Sequence, residues 1–353
     1  MTSKKIKVLL VEDSHVIQHL LSELISKDER FELCGIAGNG LEAIDKVIKL
    51  QPNVVSMDIN MPVMDGLEAT REIMKRCPVP ILIASSLFPS EDKTMAMQIL
   101  EAGAVAVLPK PYGPGHPEFL QSVKKYLNML ESMSEIKVVL RRFIPPAKES
   151  VQRMVDENLL KKKEKPEYKI LAIGASAGGP EALKTILSNL SSYFPLPILL
   201  VQHIDAVFAE DFCNWLKTAS NLPLSIASHG EFLLPRHVYM PPGNHHLRIL
   251  PGSIISVTNE DPVEGSKPSI NALFESVAKV YGGKSIAVLL SGMGKDGADE
   301  LKTLHDKGAF TIAQEEKSCL VYGMPKAAVE LGAVSKILSP IEIAKEIHSI
   351  FNL

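Results

Sequence analysis

The chain has 353 residues, which is enough for two domains of ordinary size. Its composition, 46% hydrophobic and 22% charged, is that of a well-packed globular protein and excludes wholesale disorder. With 38 Lys and Arg against 41 Asp and Glu, the net charge of -3 argues against nucleic acid as the main partner. Phosphate binding needs an excess of basic residues, and this chain has none.

Neither the cysteines nor the apolar segments indicate secretion or a membrane. The cysteines are scattered and form no C-x-x-C pair, which is typical of small buried residues in a reducing compartment. They are Cys34, Cys77, Cys213 and Cys319. No apolar run approaches the roughly 20 residues that span a bilayer, and the run after the N-terminal lysines is too short for a signal peptide. We therefore expect a soluble, cytoplasmic protein without membrane insertion.

In the first part of the chain, short apolar runs alternate with amphipathic segments, which is the pattern of a parallel sheet covered by helices. The predicted strands are Val8–Val11, Phe31–Ala37, Val54–Met57, Ile81–Ala84 and Ala104–Leu108, with helical patterns that include Val16–Ile25, Gly40–Leu50 and Leu67–Arg76. These units fit one doubly wound α/β domain with a five-stranded sheet, which we place at residues 1–127. A basic, proline-containing segment over 128–168 is predicted to be a solvated, partly helical linker.

A second doubly wound α/β domain, with a mostly parallel sheet, is predicted over 169–353. Its strand candidates are 169–174, Leu196–Gln202, Leu224–Ala227, Ser285–Ser291 and Phe310–Ala313. Between Arg236 and Thr258 the helical pattern stops and short β runs alternate with Pro-Gly turns. These runs are Val238–Met240, Leu247–Leu250 and Ile254–Val257. We expect them to form an antiparallel excursion from the sheet.

Polar side chains follow the predicted strands of the first domain. They are Glu12, Asp13, Asp58, Ser85 and Lys110. The carboxyl ends of parallel strands meet at one edge of a sheet, where ligands bind in open α/β folds. Three carboxylates there would repel one another unless a divalent cation neutralised them, and Mg²⁺ prefers such oxygen ligands. A carboxylate beside a metal, a lysine and a hydroxyl is suited to accept a phosphoryl group.

With Met61–Gly66 after Asp58 and Pro111 after Lys110, this domain resembles a response-regulator receiver domain. The resemblance implies that Asp58 is the phospho-acceptor and that a histidine kinase supplies the phosphoryl group.

The same resemblance assigns roles to the residues around Asp58. It implies a Mg²⁺ site of Glu12, Asp13, Asp58 and Asn60, the last through its backbone carbonyl, with Ser85 as the switch hydroxyl and Lys110 as the phosphate partner. Two positions depart from the family pattern. Glu12 stands where Asp is commoner, and Val107 replaces the aromatic residue three positions before the lysine. The second departure puts an aromatic-rotamer step in doubt, but not phosphorylation.

The second domain begins with a serine on a predicted strand-to-helix turn. The spacing Gly174-x-Ser176-x-Gly178 matches a nucleophile elbow, and Pro180 suits the first position of a helix. Backbone N–H groups at the start of that helix could stabilise an oxyanion. Two other interpretations stay open here. The turn could bind a phosphate, although Ser176 breaks the G-x-G-x-x-G pattern, or it could be purely structural.

A serine nucleophile needs a base, and the base needs an orienting acid. His203 follows a strand that should neighbour the Ser176 strand, although a histidine there is often structural. His245 and His246 lie in a predicted turn and are expected to be exposed. Asp296, in a glycine-rich segment after another strand, is the candidate acid or else a helix N-cap. The order serine, histidine, aspartate differs from that of α/β-hydrolases, so we do not assign that fold.

Four motifs together resemble the catalytic domain of chemotaxis protein-glutamate methylesterases. They are 174–180, Val201–His203, Pro241–Leu247 and Gly292–Gly297. The resemblance implies a phosphorylation-regulated serine esterase that hydrolyses glutamate γ-methyl esters on chemoreceptors to glutamate and methanol. It also implies deamidation of receptor glutamines. It implies no cofactor for the ester chemistry.

The resemblance further implies that Ser176 is the nucleophile, His203 the general base and then acid, and Asp296 the orienting carboxylate. The backbone amides of Ala177, Met293 and Gly294 are candidate oxyanion donors. Two departures from the family stand beside these residues: Ala177 replaces a common threonine, and Ile204-Asp205 replaces Met-Pro.

The implied partners are the methylated cytoplasmic domains of chemoreceptors and a receptor-coupled histidine kinase, and we expect a monomer. The alternative is a response regulator whose second domain only binds a partner or a nucleotide. A DNA-binding output is disfavoured because the second domain has no basic face and no helix-turn-helix pattern.

Overall fold

The structure is a computed structural model that describes residues 5–85, 93–136 and 167–353, with the backbone alone at 93–96. The predicted linker conformation over 137–166 lies outside the described residues. Nowhere in the three described ranges does a helix have the length and apolar character needed to cross a membrane.

The first domain has a five-stranded parallel sheet with helices between the strands, as predicted. Its elements are β1 Ile6–Val11, α1 His15–Lys27, β2 Phe31–Ala37, α2 Gly40–Leu50, β3 Val54–Met57, α3 Gly66–Arg76, β4 Ile81–Ser85, α4 Lys93–Glu101, β5 Ala106–Pro109 and α5 Phe119–Ser134. The strand order is β2-β1-β3-β4-β5, so the order reverses beside β1. The polar residues after β1, β3, β4 and β5 therefore meet at one edge of the sheet.

Helix α5 continues past residue 127, where the sequence placed the start of the linker. Its last two turns bury Leu130 and Met133, both at 0% exposure, so packing extends the helix into the segment assigned to the linker. Tyr126, on the same helix, is buried and donates a hydrogen bond to Ser56 Oγ at 2.7 Å. Helix α5 is thereby fixed against β3.

The second domain has a seven-stranded parallel sheet and a separate antiparallel hairpin. Its elements are β6 Ile170–Ala175, α6 Gly179–Asn189, β7 Ile198–Gln202, α7 Ala209–Ala219, β8 Leu224–Ile226, β9 Val238–Met240, β10 His246–Leu250, β11 Ile254–Thr258, α8 Ile270–Val280, β12 Ser285–Leu289, α9 Ala298–Asp306, β13 Phe310–Gln314, α10 Met324–Glu330, β14 Lys336–Leu338 and α11 Pro340–Phe351. The strand order is β14-β13-β12-β6-β7-β9-β8, and β10 pairs with β11. Strand β6 is thus flanked by β12 and β7.

One predicted strand belongs elsewhere in the fold. Strand β9 was expected in the antiparallel excursion, but it pairs in parallel with β7 and β8. All three of its residues are buried, which is typical of a parallel strand covered on both faces rather than of a surface hairpin. The antiparallel excursion consists of the hairpin β10–β11, with an isolated antiparallel bridge from Phe232 to Ile254 of β11.

The two domains pack through the α5 side of the first and the loops at the carboxyl edge of the second. Leu320 and Val321 of the second domain belong to the same buried apolar cluster as Leu130 and Met133 of α5. Among the described residues, ion pairs of Lys125 with Asp205 and of Lys184 with Glu101 cross the boundary. The interface thus combines an apolar centre with charged pairs.

Candidate active site

The strand order of the second domain brings the three predicted catalytic residues together. Ser176 follows β6, His203 follows β7, and Asp296 lies between β12 and α9. His203 Nε2 is 2.8 Å from Asp296 Oδ2. The neighbouring backbone is tied to the sheet, because Ser176 N–H donates to Ser291 O at 3.0 Å.

Two glycines allow the tight packing around Ser176. Gly178 has φ +77°, in the left-handed region that favours glycine, and a Cβ there would lie 2.4 Å from Leu320 Cβ. A Cβ on Gly292 would lie 2.7 Å from Ser176 Cβ. The serine turn and the loop after β12 therefore approach each other more closely than side chains would permit.

Asp296 is 6% exposed, and hydrogen-bond donors surround its carboxylate. It accepts from Ser269 Oγ at 2.9 Å, from Ile270 N–H at 2.8 Å and from Asn271 N–H at 2.9 Å. Burial by itself would raise the pKa of Asp296, but the hydrogen bond and charge of His203, with the backbone N–H groups, outweigh it and lower the pKa. Asp296 is therefore an ionised, fixed partner for His203.

The orientation of His203 decides which nitrogen can act on the serine. Nε2 faces Asp296, so Nδ1 is the nitrogen left to take a proton from Ser176. Among the described residues, no hydrogen bond yet joins Ser176 Oγ to His203. Catalytic hydrogen bonds are often long before substrate binds, so the pair remains a candidate nucleophile and base.

Gln202 is a residue of the site that sequence reasoning missed. Its side chain is 3% exposed, and Nε2 donates to the backbone carbonyls of Ser176 at 2.8 Å and of His203 at 2.9 Å. One amide therefore joins the turn of the serine to that of the histidine. The available signal was an amide side chain directly before the histidine, at the end of a strand with no other polar residue.

The candidate oxyanion donors lie on two loops beside Ser176. In the described part of the chain, no hydrogen bond uses the backbone N–H of Ala177, Met293 or Gly294. The Ala177 carbonyl is occupied, since it accepts from Ser291 Oγ at 2.7 Å. These loops thus present unused donors next to the nucleophile.

The first domain brings its predicted carboxylates together as well. One ligand atom each of Glu12, Asp13 and Asp58 lie within 4.8 Å of one another, a spacing that could hold a metal ion. Lys110 Nζ is 2.6 Å from Glu12 Oε2 and 3.0 Å from Asp58 Oδ2. Burial raises the pKa of both Glu12 and Asp58 above the ordinary values, although Lys110 opposes the rise. A divalent cation fits this set of hard oxygen donors.

The other predicted residues of the first domain lie around this cluster. Ser85 ends β4 and is buried, and its carbonyl accepts from Lys110 N–H at 2.8 Å. Asn60 is exposed in the loop after Asp58. Val107 is buried on β5 and faces the interface between the domains instead of the carboxylates.

A cavity of about 630 Å³ lies between the domains, and Ser176, His203 and Asp296 line it. Met129 and Met133 of α5 line its other side. The first domain therefore covers the approach to the three catalytic candidates.

Known family models match both domains. The family model described as CheB methylesterase matches residues 171–347, and the response regulator receiver domain model matches residues 8–124. The chain belongs to the CheB methylesterase family. Its first domain is a receiver domain of the response-regulator type.

Similarity to members of the CheB family extends over nearly the whole chain. A protein from Nitrosospira multiformis, named protein-glutamate methylesterase/protein-glutamine glutaminase, is 43% identical over 341 residues, covering 96% of this chain and 94% of the relative. One from Hahella chejuensis with the same type of name is 44% identical over 338 residues, covering 96% of each.

The crystal structure of the Thermotoga maritima CheB methylesterase catalytic domain resembles the second domain. Its TM-score is 0.50 at 33% identity, and the match covers 53% of this chain and 99% of that one.

Proposed function

We propose that this chain is a phosphorylation-regulated serine esterase that hydrolyses glutamate γ-methyl esters of chemoreceptors and deamidates receptor glutamines. The observation that carries the proposal is the convergence of Ser176, His203 and Asp296 at neighbouring strand ends in a member of the CheB family.

In the proposed reaction, Ser176 Oγ attacks the ester carbonyl while His203 Nδ1 takes the hydroxyl proton. The backbone N–H groups of Ala177, Met293 or Gly294 stabilise the oxyanion. Methanol leaves with the proton from His203, and an acyl ester on Ser176 remains. Water, deprotonated by His203, then releases glutamate and restores the serine. With a glutamine substrate the leaving group is ammonia.

Asp296 holds the imidazole throughout these steps and stabilises its charged form. The lowered pKa of Asp296 supports this role, since the carboxylate stays ionised while His203 carries a proton. The ester chemistry is proposed to need no cofactor.

For the receiver domain, we propose that Asp58 accepts a phosphoryl group from a receptor-coupled histidine kinase. Glu12, Asp13 and Asp58, with the backbone carbonyl of Asn60, would hold Mg²⁺, which neutralises the charge of the transferred group. Lys110 would pair with the phosphoryl oxygens, and Ser85 would be the switch hydroxyl.

The proposed regulation is a change in access to Ser176. Residues of α5 and β5 line the cavity that also contains the catalytic candidates, which supports a receiver that restricts the approach of a receptor helix. Phosphorylation of Asp58 would favour a receiver conformation that packs less well on the esterase domain. If Asp58→Ala left the activity fully responsive to a phosphodonor, this gating would be excluded.

We propose that the chain consists of a receiver domain, a linker and a methylesterase domain. We assign the receiver to the first domain up to the end of α5, and the methylesterase domain to residues 169–353, with the linker between them. Helix α5 ends at Ser134, so the proposed linker begins after that residue rather than at 128.

The decisive test is methanol release from membranes that carry methylated receptors. Wild type and Ser176→Ala are compared with and without a small phosphodonor and Mg²⁺, and exposed Ser188→Ala on α6 is the matched control. Release by wild type and the control, raised by the phosphodonor and abolished in Ser176→Ala, is the expected result. No release from wild type under any condition would instead favour a non-catalytic output domain.

A further inference from the structure

The N-terminus of α8 contacts Asp296 through a side chain as well as through the backbone. The amides of Ile270 and Asn271 belong to the main chain, and their hydrogen bonds to the carboxylate persist whatever side chains are present. The Ser269 hydroxyl, 2.9 Å from Asp296 Oδ1, is the donor that depends on residue identity.

Several contacts hold the Ser269 hydroxyl in one orientation. Ser269 is 0% exposed, and its Oγ accepts a hydrogen bond from Ala272 N–H at 3.3 Å as the N-cap of α8. Because that N–H occupies a lone pair of Oγ, the hydroxyl proton is directed to Asp296. The Ser269 N–H donates to His246 Nδ1 at 3.1 Å, and His246 Nε2 donates to Asp261 O at 3.1 Å. Buried His246 therefore fixes the position of the serine backbone.

Helix capping alone does not explain the contacts of the Ser269 hydroxyl. A capping serine needs only its bond to the helix backbone, which here is the longer of its two hydroxyl contacts, 3.3 Å against 2.9 Å to Asp296. Asp296 Oδ1 accepts from the side chain of Ser269, while Oδ2 contacts His203 Nε2 at 2.8 Å. Oδ1 is thus held by the Ser269 hydroxyl and Asn271 N–H, whereas Oδ2 accepts from Ile270 N–H and also contacts His203.

We propose that Ser269 is a positioning residue for the esterase reaction, one that fixes Asp296 so that Oδ2 stays on His203 Nε2. This inference rests on the proposed function. Ser269 does not line the cavity, although Pro268 before it does, and its hydroxyl is bonded to Asp296 and the backbone of α8 instead of to Ser176. Its contribution therefore reaches the reaction only through Asp296 and His203.

Loss of the hydroxyl has a specific kinetic signature. In Ser269→Ala, Oδ1 keeps only the Asn271 N–H while Oδ2 keeps the Ile270 N–H, so the carboxylate is held less firmly against His203. Misplacement of a catalytic group by about 1 Å can cost about 100-fold, so we expect kcat to fall by about 10- to 100-fold. The KM for methylated receptor should change by less than about twofold, because no substrate contact is lost.

The experiment compares full-length Ser269→Ala, Ser269→Thr and Ser276→Ala with wild type, in the presence of phosphodonor and Mg²⁺. Ser276 is the matched control because it is a buried serine of the same helix whose hydroxyl bonds to Leu273 O and Ile249 N–H, remote from the triad. We expect Ser269→Thr to retain most of kcat, since it keeps the hydroxyl, and Ser276→Ala to retain all of it. A fall in kcat that is equal in Ser269→Ala and Ser276→Ala would overturn the proposal.

A double-mutant cycle separates positioning from general stability. In an Asp296→Ala background, Ser269→Ala should change the rate by less than about twofold, because the residue through which it acts is gone. A full effect in that background would overturn the proposal. Ser269→Cys, which keeps the shape with a weaker donor, replaces the alanine variant if that one does not fold.

A second measurement, chemical modification of Ser176, distinguishes failure of the role of Ser269 from failure of the proposed esterase function. The rate at which phenylmethanesulfonyl fluoride modifies Ser176, followed by intact-mass spectrometry, requires no receptor. If wild type releases no methanol, the proposed function fails, while the modification rates of the same variants still test the coupling of Ser269 to Asp296. An unchanged modification rate in folded Ser269→Ala would overturn the inference alone.

Discussion

The two domains place carboxylates at the same kind of sheet edge and treat them in opposite ways. In the receiver, Glu12 and Asp58 share one cation, Lys110, and burial raises the pKa of both carboxyl groups. In the esterase domain, Asp296 is equally buried, yet His203 and the N-terminus of α8 lower its pKa. The first site is short of positive charge and suited to Mg²⁺ and phosphoryl chemistry. The second is complete without a ligand and suited to hold a base.

The largest expected effect is on the esterase site, whose carboxylate Asp296 has its hydrogen-bond donors without a ligand. We expect Asp296→Asn to lower kcat by about 10³- to 10⁴-fold, because the amide cannot stabilise a charged His203. It also places an NH₂ group against the donors of α8. The kinetics of methanol release measure the loss. Asp306→Asn, an exposed change on α9 beside Lys302, should keep wild-type kcat, and a similar fall there would refute the assignment.

The next largest effect is on the stability of the receiver, whose acidic cluster is short of positive charge. Lys110→Met leaves Glu12 and Asp58 buried without their shared cation, and removing one partner of a buried ion pair costs about 3–5 kcal/mol. Urea unfolding followed by circular dichroism measures the free energy of unfolding of the receiver. Exposed Lys49→Met on α2 is the control. A loss as small as that of the control would mean that the carboxylates do not depend on Lys110.

Mg²⁺ should stabilise the receiver and leave the esterase domain unchanged, with a smaller effect than the loss of Lys110. At ten times its dissociation constant, a cation that binds only the folded state adds about 1.4 kcal/mol to stability. Hydrogen exchange by mass spectrometry on the intact chain should show this protection in β1 and β3 and none in α8. Asp13→Asn should weaken it, because Asp13 belongs to the acidic cluster. Equal protection of both domains would contradict a site confined to the receiver.

Acidification should move the two domains in opposite directions. Burial lowers the pKa of His246 below its ordinary value of 6.5, so the unfolded chain takes up the proton first and the esterase domain loses stability as the pH falls below about 6.5. For Glu12 and Asp58, whose pKa values are raised, the folded state takes up the proton first, and the receiver gains stability.

Hydrogen exchange, corrected for intrinsic rates, measures the loss from His246 between pH 7.5 and 5.5, and the gain from Glu12 and Asp58 on further acidification to about pH 4. His246→Asn, which keeps an acceptor for Ser269 N–H, should reduce the loss in α8. The exposed control His19→Gln should not. A parallel response of the two domains would disprove the electrostatic contrast.

The smallest effect concerns the interface. Lys125→Gln removes the ion pair with Asp205, and a pair whose lysine is exposed, as here, contributes about 0.2–1 kcal/mol. Basal methanol release without phosphodonor should therefore rise by no more than about fivefold, because the receiver is held less firmly over Ser176. Neighbouring Lys124→Gln, also exposed, should leave it unchanged. A fall in basal release would contradict the covering role of the receiver.

The sequence predicted the parallel sheets and most strand positions well, because buried apolar runs of strand length between amphipathic segments have few other interpretations. Strands β2, β3 and β9 have the predicted ends. The pairing of β9 was wrong, since periodicity reports burial but not which neighbour a strand takes.

The sequence also predicted Ser176, His203, Asp296 and Asp58 as reacting groups, since each follows a strand whose end reaches the ligand edge. The sequence could not predict which residues surround them or how deeply those neighbours are buried. His246 was expected to be exposed, yet it is 0% exposed beneath α8. Gln202 and Ser269 went unnoticed, because their roles depend on contacts between residues 26 and 27 positions apart.

By itself, the sequence determined the α/β fold of both domains and supplied the candidates for the reacting groups, because local patterning and motif spacing are read within single strand–helix units. Only the tertiary structure decided that β6 lies between β7 and β12, that α8 directs its N–H groups and the Ser269 hydroxyl at Asp296, and that α5 covers the cavity. The physical reason is that hydrogen-bond donors and burial set the charge state of a carboxylate, and both are properties of segments brought together from distant parts of the chain.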